Sequence, residues 1–525
     1  QSLQTTLNFN RVFARKHDVA LLLGYSQEWE THSPLSGSRK NILIDGVQML
    51  SSGTEDITNS GNEYAWALRS YFGRINYVYD SRYLFEANMR IDGTSRFAKE
   101  NRWGYFPSFS TGWNFSREQF MKWADAVLSA GKIRLSWGEL GNQNVGSYYP
   151  YLTPIERVEK SYPIGGTNNV GFKQLSLGNY GIKWETIRML NIGIDLSFLN
   201  NRLTTTFEWY KKNNVNALVR PVYPSLVGIT KVGNLPFENI GEVENKGWEW
   251  WIQWRDKIGE VSYSAAFNIS DSRNKIKNLG KSAPSLTDYI RKEGEPIDAF
   301  YGYLTDGLAQ ISDFKGVDGH GKYIQPKFAT PVDAAGIVQP GDIKYRDLNG
   351  DNVIDEKDKV VFGDQDPHYL LSFKGSVAWR NFDLSLYIQG VAKWNGYLSD
   401  EARHCFINDY SVPKVEHLDR WTPTNPSAKY PRLYQAQTHN LLFSDYWMED
   451  ASYLRMKNVQ LGYTVPKTLL GSLHLPLKVL KIYFSVDNLF TITNYFGAYD
   501  PEVRTSSGDA YPQVKTFTFG LRATF

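Results

Sequence analysis

The run Thr516-Phe-Thr-Phe-Gly-Leu-Arg-Ala-Thr-Phe525 alternates large apolar side chains with small or polar ones and ends on a phenylalanine. Its period of two, unbroken by any turn residue, predicts a β-strand. A strand with an aromatic face left as a free edge invites aggregation, and closing a sheet into a barrel removes that edge by pairing the strand on both sides. The run therefore predicts a closed sheet for which the rest of the chain supplies the wall.

Composition narrows what kind of sheet this is. Of 525 residues, 15% are aromatic and 22% charged, with a mean hydropathy of -0.43. Such a chain is too polar for a helical membrane protein and too aromatic for an average soluble one. Nothing approaches the roughly 18 consecutive apolar residues of a spanning helix, which leaves a transmembrane barrel open because its signal per strand is weak. The net charge of +3, from 58 basic and 55 acidic residues, comes without a long basic run, so nucleic acid is not a predicted partner. Cys405 is the one cysteine and can form neither an internal disulfide nor a thiolate metal cluster. The chain opens on Leu3-Gln-Thr-Thr-Leu-Asn-Phe9, strand alternation with no signal-peptide character. A further N-terminal part is therefore expected before Gln1.

The same grammar recurs along the chain. Trp66 to Tyr79 and Tyr83 to Ile91 flank the tight turn Asp80-Ser-Arg82, and Met189 to Leu199 and Leu203 to Asn213 flank Asn200-Asn-Arg202. Gly241 to Trp254 and Val261 to Ser270 meet at Lys257-Ile-Gly259, and Tyr369 to Trp379 and Phe382 to Gln389 meet at Arg380-Asn381. Ser33 to Asn62, Asn142 to Leu177, Leu279 to Gln365 and Gly396 to Met448 read as long loops. Long strands with tight turns at one end and long loops at the other describe an outer-membrane antiparallel barrel with short periplasmic turns. About 14 to 16 strands are predicted. Indoles are expected on the lipid face, and amides and charges on the water face. A soluble all-β module, such as a surface glycan-binding domain, stays open on alternation alone.

One loop carries a metal-like pattern. In Asp347-Leu-Asn-Gly-Asp351-Asn-Val-Ile-Asp355-Glu-Lys-Asp358, the side chains of Asp347, Asn349, Asp351, Asp355 and Asp358, with the carbonyl of Val353, have the spacing of a calcium loop. Asn352 stands where such loops carry glycine, and asparagine tolerates the left-handed backbone required there. Asp358 replaces the usual longer glutamate, and no amphipathic helices flank the loop, so a single structural Ca2+ is predicted rather than an EF-hand pair. The alternative is a solvated acidic turn without an ion.

Catalytic patterns are weak. The histidines are scattered without a His-x-x-x-His motif, and Glu242 and Glu244 share a strand face as a hydrolase would need, yet such pairs are common on water-facing walls. Aromatic loops are a better clue to binding. Tyr149, Tyr151, Tyr301, Tyr303, Trp394, Tyr397, Tyr495 and Tyr499 offer rigid faces for a substrate or partner, with loop packing as the competing use.

Several segments together resemble a known family. They include Tyr71-Phe-Gly-Arg-Ile-Asn-Tyr77, Leu84 to Phe97 (LFEANMRIDGTSRF), Gly104 to Trp113 (GYFPSFSTGW) and Lys132 to Gly138 (KIRLSWG). Gly341 to Asp351, Tyr453 to Tyr463 and Val486-Asp-Asn-Leu-Phe490 extend the match over nearly the whole chain. The chain resembles the SusC/RagA branch of TonB-dependent outer-membrane transporters. The resemblance implies an all-β barrel of about 22 strands filled by an N-terminal plug, of which residues 1–525 supply the C-terminal portion. The plug and the first part of the barrel would then lie before Gln1 or on another chain.

It also implies a SusD-like surface lipoprotein as a lid and drive by TonB-ExbB-ExbD through that N-terminal region. The implied activity is active import of an oligosaccharide or peptide ligand across the outer membrane of a Gram-negative, Bacteroidetes-like bacterium, with no bond chemistry. An outer-membrane hydrolase is the enzyme alternative. The long loops, including 279–365 with the calcium-like stretch 347–358, would be extracellular.

Overall fold

The computed structural model describes the chain except residues 44, 45, 47, 48, 165, 222, 224–234, 281–284, 333–336, 409, 410, 436, 437, 473–475, 497, 498, 504 and 507–509. His474 and parts of the predicted loops 279–365 and 396–448 therefore lie outside the described residues.

Alternation becomes one antiparallel wall in which each strand pairs with the next in sequence. Its strands are β1 Ser2–Phe13, β2 His17–His32, β3 Tyr64–Tyr79, β4 Tyr83–Thr94 and β5 Trp103–Trp113. They continue as β6 Leu128–Asn142, β7 Glu185–Phe198, β8 Leu203–Val219, β9 Glu238–Ile258 and β10 Val261–Asn278. The last are β11 His368–Trp379, β12 Phe382–Lys393, β13 Tyr453–Thr464, β14 Val479–Asp487 and β15 Thr516–Thr524. The short strand Thr491–Thr493 adds to β13 and completes a 16-stranded sheet, within the range the alternation predicts.

Turn chemistry sets the two ends. Asp80 and Ser81 between β3 and β4, and Asn200 and Asn201 between β7 and β8, have positive φ, as does Gly259 between β9 and β10. These are residue types that tolerate the left-handed turns matching strand twist. The connection from β5 to β6 is longer and carries the short 3-10 helices Phe115–Arg117 and Gln119–Ala124. Glu118 fastens it to the wall, accepting hydrogen bonds from Tyr83 at 2.7 Å, Arg82 at 2.9 Å and Trp113 at 3.2 Å.

Register aligns the apolar positions into a continuous outer band. Phe207 faces Trp250, Trp250 faces Ile269 and Ile269 faces Leu371. Further round, Leu384, Leu461, Phe484 and Phe519 stand side by side. Rings border the band. Trp379, Phe382 and Tyr463 lie at the short-turn end, and Trp209 and Trp248 lie toward the loops. An apolar wall this continuous exceeds any patch a soluble monomer exposes and matches the aromatic-bordered band, about 25 Å tall, of membrane barrels. Among the wall strands indole segregation has two exceptions, Trp66 and Trp251. Trp251 shares a face with Glu249 and Gln253, because register follows sequence parity and not hydrophobicity. No helix of the described residues is long and apolar enough to cross a membrane.

Pairing on both sides of the last strand is not found. β15 pairs only with β14, and β1 only with β2, so the described wall is open at both edges. All other wall strands already have two neighbours, so no wall strand among the described residues bridges the gap. Parts of the long loops are themselves sheets. Leu35–Ile42 pairs with Gly53–Gly61, and Ile155–Ile164 pairs with Thr167–Gln174. Their Gly, Ser and Asn content reads as loop, but the backbone finds partners by folding back on itself.

Candidate functional site

The face opposite the apolar band is lined with polar and charged side chains. Arg134 on β6 bonds Asp195 on β7 at 3.0 Å and also Glu208 on β8. Asn191 donates to Glu208 at 3.0 Å, Thr206 donates to Asp195 at 3.0 Å, and Lys481 reaches Asp383 at 2.7 Å. Cross-strand pairs of opposite charge every second residue are what period-two alternation produces when one face meets water. A concavity of about 590 Å³ lies on this face near the short turns, bordered by Asp18, Asn76, Glu86, Lys132 and Arg134.

Glu242 and Glu244 lie on the other face, with Trp248. Glu244 is held by Lys246 at 2.8 Å and Lys211 at 3.0 Å, and Glu242 accepts from Asn213 at 3.2 Å. A carboxylate held by two ammonium groups is fixed in its charged form and does not serve as a general acid.

Beyond the Trp209 and Trp248 border, the loops between β10 and β11, β12 and β13, and β14 and β15 share a hydrophobic core. Half-buried Phe443 packs against it, 4.2 Å from the Tyr397 ring and 6.0 Å from Phe300. Of the aromatic residues predicted to face a substrate or partner, Tyr303, Tyr397 and Tyr495 belong to this core and are buried, with Trp394 and Tyr499 packed against it. The reason is physical. Loops this long need apolar surface to bury, and these rings, with Trp421 and Trp447, supply much of it. Burial pushes the Tyr303 hydroxyl up to about 12 and raises Tyr397 further, so both stay neutral.

Tyr301 remains half-buried. Tyr149 and Tyr151 sit in a different loop. Tyr149 is exposed, its hydroxyl accepting from the Ala65 amide at 3.1 Å, and half-buried Tyr151 packs edge-on to Tyr180 at 5.9 Å.

Two buried arginines tie these loops together, and no local motif announces either. Arg403 bonds Glu449 at 2.6 Å and lies 4.4 Å from the Phe496 ring centre. Burial beside it holds His404 neutral, with its pKa lowered to about 3. Arg455 on β13, only 1% exposed, bonds Asp500 and Glu502 at 2.6 Å each and Thr491 at 2.8 Å. Its one sequence signal is a pair of cations, Arg455 and Lys457, in a strand with no other charge.

The acidic loop is tightly self-bonded. Asp347 accepts from the amides of Gly350 at 2.6 Å and Asn352 at 2.8 Å, Asn349 from Asp351 at 2.9 Å, and Asp351 from Val353 at 3.0 Å. Asn352 has φ +64°, the left-handed conformation its position requires. Asp358 is fully buried and both its oxygens accept amides, from Leu348 at 2.8 Å and Asp355 at 2.9 Å, so it caps the loop. Lys357 lies 3.4 Å from Asp355 and 3.7 Å from Asp351. Asp355 raises the Lys357 pKa, and the Val353 amide lowers that of Asp351. Among the described residues no three His, Cys, Asp or Glu side chains converge as a metal cluster. The backbone thus fits a calcium loop, while the side chains fit one only if Lys357 withdraws.

A wall with an apolar outer band, a charged inner face and heavy loops at one end defines the class of outer-membrane β-barrels. A family model described as TonB dependent receptor-like, beta-barrel, matches residues 2–489, and the chain belongs to that family. It is 30% identical over 547 residues to TonB-dependent receptor P3 of Formosa agariphila, covering 99% of this chain and 52% of that protein. It is 31% identical over 464 residues to TonB-dependent receptor SusC of Bacteroides thetaiotaomicron, covering 87% of this chain and 44% of that one. The solved RagAB peptide transporter shares the fold with a TM-score of 0.83 at 21% identity, over 100% of this chain and 55% of its own. The chain thus spans about half the length of the relatives it matches. These relatives are named as receptors and a transporter, not as enzymes.

Proposed function

We propose that the protein to which this wall belongs imports an oligosaccharide or oligopeptide across the outer membrane, driven by TonB-ExbB-ExbD, with a SusD-like surface lipoprotein as its lid. The observation that carries this reading is the pairing of a lipid-facing apolar band with a charged face of cross-strand ion pairs. Charged lumens carry hydrated cargo, and apolar bands anchor the wall in hydrocarbon. The two open edges suit a barrel completed by further strands, with a plug inside it. Membership of the TonB-dependent receptor family supports energised import. The relative named the RagAB peptide transporter makes a peptide cargo consistent with it.

Deleting the full-length gene from its source bacterium is expected to abolish growth on one cargo class, glycan or peptide, and deleting tonB is expected to do the same. Unimpaired uptake of both classes in the deletion strain would refute the proposal.

Calcium in loop 347–358 belongs to the same reading as a structural ion, taking the place of the Lys357 ammonium beside Asp351 and Asp355. At about a hundredfold excess over Kd, an ion bound only to the folded state stabilises it by about 2.7 kcal/mol. Calcium should raise the melting temperature of the full-length protein relative to chelator, and Asp351→Asn should remove that shift. Equal melting with and without calcium would identify a self-closed turn.

A further inference from the structure

We propose that Arg96, held between Trp66 and Tyr148 at the loop end of the inner face, docks a carboxylate carried by the cargo. The inference rests on the import reading and adds the chemical class that the inner face selects.

Strand parity places the site. On β3, Tyr71 and Ile75 are 46% and 50% exposed on the apolar side, so Trp66 and Ser70 point to the other face. Trp66 is oriented there by its indole N–H, which donates to Glu30 on β2 at 2.8 Å. Arg96 follows the end of β4, where Ser95 continues the pairing by donating its amide to the Ala67 carbonyl at 2.9 Å. Tyr148 arrives from the loop between β6 and β7. The guanidinium carbon lies 5.4 Å from the Trp66 ring centre and 4.9 Å from that of Tyr148.

What sets Arg96 apart is an unanswered charge. Neighbouring Arg90 is bonded by Asp92 at 2.8 Å, and Arg403 and Arg455 each hold a carboxylate. Among the described residues, no carboxylate forms an ion pair with Arg96, its guanidinium makes no hydrogen bond, and its Nε is buried without a partner. Leaving a buried donor unpaired is costly, and the cost is recovered when an acceptor arrives. Two flanking rings occupy the neighbourhood of the cation, while its N–H groups remain for an acceptor. A carboxylate matches that fork with two parallel hydrogen bonds. The aromatic surface continues through Tyr64, 4.6 Å from Tyr148, to His32, 4.9 Å from Tyr64. A charged fork beside a row of rings suits a uronic acid, whose sugar face stacks on rings, or the C-terminus of a peptide.

The test uses the full-length transporter in detergent and two probe pairs, measured by titration calorimetry. One pair is a glucuronic-acid disaccharide and its methyl ester, and the other is a tripeptide and its C-terminal amide. Each pair keeps shape and removes the negative charge. The wild type is expected to prefer the acid by at least about 10-fold in one pair, and the responding pair names the source of the carboxylate. Arg96→Gln should erase that preference by weakening the acid far more than the uncharged probe, and Arg96→Lys should restore part of it, as a point charge without the planar fork.

Wild-type protein without preference in either pair would overturn the proposal. So would an Arg96→Gln variant that keeps the preference, or one that weakens both members of a pair equally, as a packing residue would. Import that proceeds without acid preference would sink this inference alone, whereas acid preference in a protein whose deletion leaves uptake intact would sink the import reading alone.

Discussion

Replacing Phe267 by arginine is expected to destabilise the membrane-inserted protein by about 2 to 4 kcal/mol, the cost of a cation near the bilayer midplane on a barrel's lipid face. Phe267 on β10 faces Ile252 on β9 and Phe373 on β11. It sits inside the apolar band, between the turn at Gly259 and the Trp248 border. The adjacent Asn268 faces Trp251 and Ser372 on the charged side, and Asn268→Arg is expected to change stability far less. Both variants of the full-length protein can be followed in lipid vesicles by the fraction of heat-modifiable folded band across a urea gradient. Equal midpoints for the two would mean that the apolar band does not face lipid. A soluble module would give that result, since half-exposed positions in water tolerate arginine within about 0.5 kcal/mol.

The second large effect is expected at Arg455. Its guanidinium fastens the loop after β14 to the wall by bonds to Asp500 and Glu502. Arg455→Met keeps much of the side-chain volume and deletes the charge, leaving two carboxylates without it. Breaking a buried pair by removing one partner costs about 3 to 5 kcal/mol. Lys457, 3.4 Å from Glu502, answers part of that charge, which points to the lower end of the range. The loss should be local. The amides of Tyr495, Tyr499, Glu502 and Val503 should exchange faster with deuterium, while those of β9 and β10 keep their protection. Protection lost equally in both regions would instead mark Arg455 as part of the global folding core.

Much of this architecture is legible in residue order because strand alternation is a local property. Tyr83 to Ile91 reads as a strand from its own side chains, and Asp80-Ser-Arg82 reads as a turn from its own composition, so the hairpin follows without knowledge of any other segment. The calcium-like spacing of residues 347–358 is legible for the same reason, since loop ligands sit at fixed local offsets. What such spacing leaves open is occupancy of that space, and here Lys357 reaches between Asp351 and Asp355. The aromatic loop residues show the same division. Being aromatic is written in the sequence, but whether Tyr397 meets a ligand or Phe443 depends on a segment dozens of residues away.

Residue order by itself thus determined an antiparallel wall with a lipid face, a water face, turns at one end and long loops at the other, and a family resemblance spread along its length. Each follows from period-two patterning, turn chemistry or motifs that lie within a few residues of one another. Only the tertiary structure decided that, among the described residues, the wall is open at β1 and β15, that Tyr303, Tyr397 and Tyr495 are core, and that the Arg455 guanidinium has carboxylate partners while that of Arg96 has none. Those facts depend on pairs such as Arg455 and Asp500, which chain order separates and register and loop packing bring within hydrogen-bonding distance. The short-range code of the side chains cannot express such pairs, because their energy exists only once the wall has set the distance between them.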